Sequence, residues 1–404
     1  VSRPDLRARV EGARAQRERD GLLRRARTCE VTADGHRLVD GRALVDFCGN
    51  DYLGLARHPD LVAALTRAAV VEGVGTGAAH LVSGHRGEHA ALEEELADWT
   101  GRQRAVLFST GVMANLGALQ ALLGAGGLPG RGDALCVQDR LNHASLIDGA
   151  QLAGAELRRY PHGDAEAAAR QLDARPDHPA LLATDGVFSM DGDVAPLAAL
   201  ATLCRKRHAL FYVDDAHGLG VLGPQGAGSV AAAGLDTKQV PVLMGTLGKA
   251  LGTAGAFVAG DAALIEAIVQ FARPYIYTTA MPAALAAATR ASLRLVRADT
   301  DGRRERLAAN IARFRAGAAQ LGLAVTPSQT AIQPLLVGSA EAALAASRAL
   351  EASGFLVVAI RPPTVPQGAA RLRITLSATH SPGQIDALLD ALSRLPGPAG
   401  NAAV

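Results

Sequence analysis

Lysine is scarce in this 404-residue chain: of 41 Lys+Arg, only Lys206, Lys238 and Lys249 are lysine and the remaining 38 are arginine. Where a positive charge alone is needed, the sequence uses arginine. Lysine can do one thing that arginine cannot, which is to lose its proton and form a Schiff base with a carbonyl. Lys206 sits in an Arg-Lys-Arg run at a helix end and Lys238 in a polar Asp-Thr-Lys-Gln turn, so both read as surface. Lys249 lies among small and apolar residues between Met244 and Gly255. A lysine snorkelling from a core edge is the ordinary explanation for such a position, but the arginine bias puts the catalytic one ahead. Upstream, Leu210-Phe-Tyr-Val-Asp214-Asp215-Ala-His217 ends a buried strand on Asp214, at the sheet edge where open α/β proteins bind ligands. A lysine to hold an aldehyde and an acid to keep a pyridine nitrogen protonated are the two needs of pyridoxal 5′-phosphate.

Further residues fit the same chemistry. Ser109-Thr110-Gly111-Val112 closes a strand and opens a helix, where backbone N–H groups hold phosphate and a glycine permits close approach. Thr246 offers a hydroxyl three residues before Lys249. Other patterns carry less. Gly218-Leu-Gly220-Val-Leu-Gly223 has the spacing of a dinucleotide fingerprint, yet Pro224, Gly226 and Gly228 follow where a helix should open. Gly245 to Ala250 lacks the loop length and terminal hydroxyl of a phosphate loop around lysine. His80, His85 and His89 cluster, but a glycine-containing segment parts the first two, so they read as loop and helix-start histidines, with no metal site expected. Met190-Asp-Gly-Asp193 reads as a turn.

The elements that must position these groups follow from the apolar pattern. Strands are expected at 105–109, 134–137, 181–184, 210–214, 242–245 and 256–259, with helices at 113–123 and 197–207 among them. This alternation predicts an α/β architecture with a mostly parallel sheet covered on both faces. After Pro282, helices near 283–298, 302–321, 340–352 and 383–394 and strands at 331–337, 356–360 and 372–375 predict a smaller C-terminal α+β domain. The expected division is 1–48 as an N-terminal helical arm and short β segment, 49–290 as the large domain, 291–395 as the small domain and 396–404 as a frayed tail.

Composition narrows the function classes. Hydrophobic residues at 49% and charged residues at 20% exclude a disordered chain. A net charge of +2 and only 3% aromatics argue against nucleic-acid binding. The four cysteines form no CxxC pair, which fits a reducing cytoplasm. Residues 1–27 carry nine arginines and four acids and read as a basic helix rather than a signal peptide. The most apolar stretch, 240–260, carries Lys249 near its centre and five glycines, so no membrane span is expected.

The ordered segments Asn50-Asp-Tyr-Leu-Gly54, Leu81-Val-Ser-Gly84, Asn142-His-Ala-Ser145, Gly186-Val-Phe-Ser-Met-Asp-Gly-Asp193, Val213-Asp-Asp-Ala-His-Gly218, Thr246-Leu-Gly-Lys249, Ile276-Tyr-Thr-Thr-Ala-Met-Pro282 and Arg361-Pro-Pro-Thr364 resemble the α-oxoamine synthases from about residue 20 to 395. These are fold-type I pyridoxal-phosphate transferases, aspartate aminotransferase-like in fold. Phe271-Ala-Arg and the stretch 360–366 favour the branch that serves biotin synthesis. The resemblance implies Lys249 as the Schiff-base lysine, Asp214 as the partner of the pyridine nitrogen and His143 stacked on the ring and facing the substrate. It implies Ser189 and His217 near the phenolic oxygen, and Gly111, Val112 and Thr246 at the phosphate, which Thr278 or Thr279 reaches from the second subunit of a homodimer. Arg361 is implied at the amino-acid carboxylate, and Arg24, Asn50 and Thr364 on the acyl side. Val112 stands where the family usually has an aromatic residue. The implied reaction is decarboxylative condensation of L-alanine with a pimeloyl thioester, Lys249 taking the Cα proton. Acyl carrier protein and coenzyme A remain equal as donors, and the arginines of 1–27 would suit an acidic carrier protein as well as a solvated helix face. Glycine C-acetyltransferase, 5-aminolevulinate synthase and serine palmitoyltransferase share the cofactor residues and stay open. A non-catalytic subunit of the same fold is a distant alternative that retention of Lys249 disfavours.

Overall fold

A computed structural model of the chain describes residues 3–24, 26–32, 36–124 and 133–395. The stretch expected to fray, 396–404, lies outside the described residues. The basic helix is shorter than 1–27: it spans Leu6–Arg19, is capped by the Asp5 side chain on the Arg7 N–H, and buries none of its residues. Strands β1 (Cys29–Val31), β2 (Arg37–Val39) and β3 (Arg42–Asp46) follow as a small antiparallel meander.

The main sheet contains β4 (Arg104–Phe108), β5 (Leu135–Asp139), β6 (Glu156–Tyr160), β7 (Ala180–Asp185), β8 (Leu210–Asp214), β9 (Val242–Thr246) and β10 (Ala256–Gly260). Their spatial order is β4-β10-β9-β8-β7-β5-β6. Every neighbouring pair is parallel except those of β10, which runs against both β4 and β9. Helices cover both faces, so the inner strands read as unbroken apolar runs rather than as an alternation. The alternation is still present in the packing. Val106, Tyr212, Met244 and Val258 face one core, and Leu107, Val213, Leu243 and Phe257 face the other. The one strand absent from the sequence expectation is β6, an edge strand whose Glu-Leu-Arg-Arg-Tyr sequence is buried fully only at Tyr160.

The C-terminal part holds β11 (Ile332–Gly338), β12 (Phe355–Leu356), β13 (Val358–Ile360) and β14 (Ala370–Thr375). The expected single strand at 356–360 is two strands in two sheets. β12 pairs in parallel with β3, whereas β13 pairs antiparallel with β14, so buried Val357 is the crossing point. This ties the N-terminal segment to the C-terminal one: Thr375 N–H donates to Phe47 O at 2.7 Å and Ala378 N–H to Tyr52 O at 2.8 Å. Asn50 and Tyr52 are thereby carried to β14. Among the described residues no helix is long and apolar enough to cross a membrane.

Candidate active site

The carboxyl ends of the parallel strands meet at a cavity of about 190 Å³. Its wall takes Gly111 and Val112 from the turn after β4, His143 from the turn after β5, Ser189 from the loop after β7, Asp214 and His217 from the end of β8, and Thr246 and Lys249 from the end of β9. Residues far apart in sequence converge there because each βα turn of a parallel sheet opens at the same edge. Thr110 caps the helix Gly111–Leu122 by accepting from the Met113 N–H at 3.1 Å. The N–H groups of Gly111 and Val112 stay free, an anion site at a helix start.

The lysine is held in a chain of hydrogen bonds. Lys249 Nζ lies 2.7 Å from His217 Nε2, and His217 Nδ1 lies 2.7 Å from the Tyr52 hydroxyl. The Tyr52 hydroxyl also lies 3.2 Å from Asn50 Oδ1, so one chain of contacts runs Asn50–Tyr52–His217–Lys249. Burial lowers the Lys249 pKa to about 8, outweighing the nearby carboxylates of Asp214 and Asp185 that raise it. Burial also lowers the His217 pKa far below its usual value, and the Lys249 charge adds to this. The pair is therefore a neutral imidazole beside an amine whose proton leaves near physiological pH.

Asp214 is fixed from two sides: Asn115 Nδ2 donates to Oδ2 at 2.7 Å and the Ala216 N–H to Oδ1 at 3.1 Å. Asn115 is itself oriented by the Tyr212 hydroxyl at 2.8 Å and bonds Ser145 Oγ at 2.8 Å, which lies 2.7 Å from His143 Nδ1. Asp185 lines the same cavity, and its Oδ1 is buried with no hydrogen-bond partner. Burial, then the Asp214 charge, raises the Asp185 pKa well above the carboxylate range. Asp215 plays a different part. It accepts from Ser229 N–H and Oγ at 2.7 Å each, and Gly228 presses so close that an added Cβ would sit 2.0 Å from its Oδ2.

A larger cavity of about 790 Å³ opens beside the first and shares Lys249, His217, His143 and Ser189. Asn50 and Thr364, the residues expected on the acyl side, are among its lining residues. Arg361 and Arg24 line neither cavity; Arg361 donates to Gly21 O at 2.5 Å and Arg24 is exposed. Two buried arginines line the larger cavity, Arg371, paired with Asp191, and Arg373, with Nε donating to Ser189 O at 2.7 Å and Nη2 to Asn50 Oδ1 at 3.2 Å. Thr279 is exposed on a separate shallow cavity with Gly75, Thr76 and Ser109, and Thr278 is half-buried beside it.

The three histidines that cluster in the sequence also come together in space. His80 Nδ1 and His85 Nδ1 are 2.9 Å apart, and one nitrogen from each of the three lies within 4.8 Å of the others. Both nitrogens of His89 are nevertheless committed, Nδ1 to the Arg86 N–H at 2.9 Å and Nε2 to Met281 O at 2.8 Å. The cluster therefore ties the helix Gly87–Trp99 to the 281 turn instead of offering three ligands.

Sequence reasoning missed Tyr52, Asn115, Ser145, Asp185 and Arg373. The signals were weak but present: Arg371 and Arg373 interrupt an otherwise apolar strand, and Asn115 stands alone on an Ala/Leu-rich helix.

Comparison with known proteins gives the family. The family model for aminotransferase class I and II matches residues 42–392. A relative in Thioalkalivibrio sulfidiphilus (strain HL-EbGR7), named 8-amino-7-oxononanoate synthase, is 56% identical over 391 residues, covering 96% of this chain and 97% of its own length. Among solved structures, SPT with pyridoxal phosphate as an internal aldimine superposes with a TM-score of 0.89 at 31% identity, covering 96% of this chain and 98% of that one. The 8-amino-7-oxononanoate synthase of Francisella tularensis superposes at 0.74 and 31% identity, covering 87% and 97%.

Proposed function

The chain belongs to the aminotransferase class I and II family, within it to the pyridoxal-phosphate-dependent acyltransferases called 8-amino-7-oxononanoate synthases, and we propose that it condenses L-alanine with a pimeloyl thioester, releasing carbon dioxide. The observation that carries this reading is the amine of Lys249, drawn toward neutrality and held by His217 between the Asp214 carboxylate and a cavity large enough for a second substrate. The SPT and synthase structures are equally identical to this chain at 31%; what favours the pimeloyl reaction is the 56% identity to a relative named 8-amino-7-oxononanoate synthase.

The residues present fit pyridoxal phosphate. Asp214 would face its pyridine nitrogen, the Gly111 and Val112 N–H groups with Thr246 would hold its phosphate, and His143 would cover one ring face. Ser189 and His217 would meet its phenolic oxygen, and the unpartnered Asp185 oxygen is a further buried acceptor on the same wall. When bound, the cofactor supplies a sink for the electrons left on Cα. Lys249 is the base that takes the Cα proton, because it alone on this wall combines an amine with a pKa near 8. Its hydrogen bond with His217 Nε2 keeps Nζ aimed into the cavity. Arg373 binds the amino-acid carboxylate, its guanidinium braced by Ser189 O and Asn50. The acyl carbon bonds to Cα as its bond to sulfur breaks and the thiol carrier leaves; loss of carbon dioxide then removes the charge from Arg373, and Lys249 returns the proton to Cα.

A homodimer completes the site in this reading. Val70, Val71, Val74, Leu81, Val82 and Tyr277 are exposed large hydrophobics. Segment 76–80 is tied to 279–280, with Ala280 N–H donating to Ala78 O at 2.9 Å. Covering this face would place Thr278 and Thr279 against a second copy. The reading is tested by Cα-proton exchange of L-alanine in deuterated water with the cofactor-loaded enzyme and no acyl donor. Exchange faster for L-alanine than for glycine or L-serine supports it, and the reverse order overturns it.

A further inference from the structure

We propose that Arg140 and Arg159 form an anion-binding rim at the mouth of the larger cavity and select an acyl donor that is negatively charged away from its thioester. This rests on the condensation reading and names what holds the far part of the donor. Both arginines line the cavity whose inner end carries Lys249, His217 and His143. Arg140 follows β5 and Arg159 lies on β6, the adjacent strand. Arg159 Nη2 donates to the Arg140 carbonyl, which holds the two side chains' bases together. The other arginines of the wall are already engaged: Arg371 pairs with Asp191 at 2.5 Å, and Arg373 is braced by Ser189 and Asn50. Asp191 is the carboxylate of this wall, and it is neutralised by that pair. Neither Arg140 nor Arg159 forms an ion pair among the described residues. An oxyanion at this rim gains charge-assisted bonds from guanidinium groups that no carboxylate among the described residues neutralises. Leu141, Ile147, Met190 and Val365 on the same wall give the stretch between rim and lysine an apolar lining suited to methylenes.

The oxyanion has two sources in a pimeloyl thioester, the distal carboxylate of the acyl chain or a phosphate of the carrier arm, and three donors separate them. Pimeloyl-CoA carries both, octanoyl-CoA lacks the distal carboxylate, and the N-acetylcysteamine thioester of pimelate lacks the phosphates. The double variant Arg140→Gln/Arg159→Gln is compared with the parent holoenzyme in KM, or in inhibition constant for a donor that turns over poorly. A rise of about tenfold for both pimeloyl donors, with octanoyl-CoA unchanged, assigns the rim to the distal carboxylate. The same rise for both coenzyme A donors, with the N-acetylcysteamine thioester unchanged, assigns it to the carrier phosphate. Unchanged constants for all three overturn the proposal. Exchange of the L-alanine Cα proton should be equal in parent and variant, since it needs no donor. Loss of exchange and of product in the parent itself would overturn the condensation reading, and the rim with it.

Discussion

At the scale of single residues, Lys249 and Arg373 make the sharpest claims. Substituting Lys249→Ala removes the base, so the amino ketone should form about a thousandfold more slowly, while cofactor still binds through the helix start and Asp214. A variant that kept parental kcat would refute the assignment. Because the Lys249 amine has a pKa of about 8, covalent capture of pyridoxal phosphate by the cofactor-free protein should accelerate as pH rises through 8 and level off above it; stopped-flow absorbance reads this. The two arginines can be set against each other. Arg373→Gln should cost about 2 kcal/mol of carboxylate binding, roughly a thirtyfold rise in KM for L-alanine, with partial recovery in Arg373→Lys. Arg361→Gln should leave that KM within a factor of about two, because its guanidinium is spent on Gly21 O. The lysine and the acid were legible in the sequence because their types are rare or misplaced there. Arg373 was not, because an arginine in a chain of 38 draws no notice until its burial is seen.

At the scale of elements, the loops after β5 and β7 are locked together by His162. Its Nε2 is 2.8 Å from Asp193 and its Nδ1 is 3.1 Å from Asp139, while the ring meets Phe188 edge-on at 4.4 Å. Asp139 ends β5 four residues before His143, and Asp193 closes the turn that carries Ser189. The sequence motif 190–193 read only as a turn; its two acids have separate partners, Arg371 and His162, that no local spacing could reveal. Bonds to the two carboxylates raise the His162 pKa to about 10. A histidine bound more tightly in its charged form adds stability fully below its ordinary value of 6.5 and loses it as pH rises through 10. His162→Gln should therefore lower stability by about 1–2 kcal/mol at neutral pH, and the gap in Tm between variant and parent should close above pH 10. A gap that persisted there would mean packing on Phe188, not the charge, is what the residue supplies. The strand order and the far-side pairings were equally hidden. Six apolar runs announce the main sheet, but the split at Val357 depends on which partners β12 and β13 find across the fold.

At the scale of the whole molecule, the α/β class and the convergence on one sheet edge followed from the alternation of apolar runs and helices, since a parallel sheet brings its turns to one side. What local pattern could not show is the exposed apolar face that gathers Val82, Tyr277 and their neighbours. Val82→Glu with Tyr277→Glu should convert the proposed dimer to monomer in sedimentation and abolish turnover, as the exposed apolar face that includes both residues is replaced by like charge. A dimer that survived both changes would place the interface elsewhere. The account as a whole stands on the two substrates meeting at Lys249. Its most direct test is to incubate the cofactor-loaded protein with carboxyl-labelled L-alanine and pimeloyl-CoA and follow products by mass. Labelled carbon dioxide and an unlabelled amino ketone in equal amounts are the predicted result. Consumption of glycine or L-serine in place of L-alanine, or an amino ketone formed without release of the label, would contradict it.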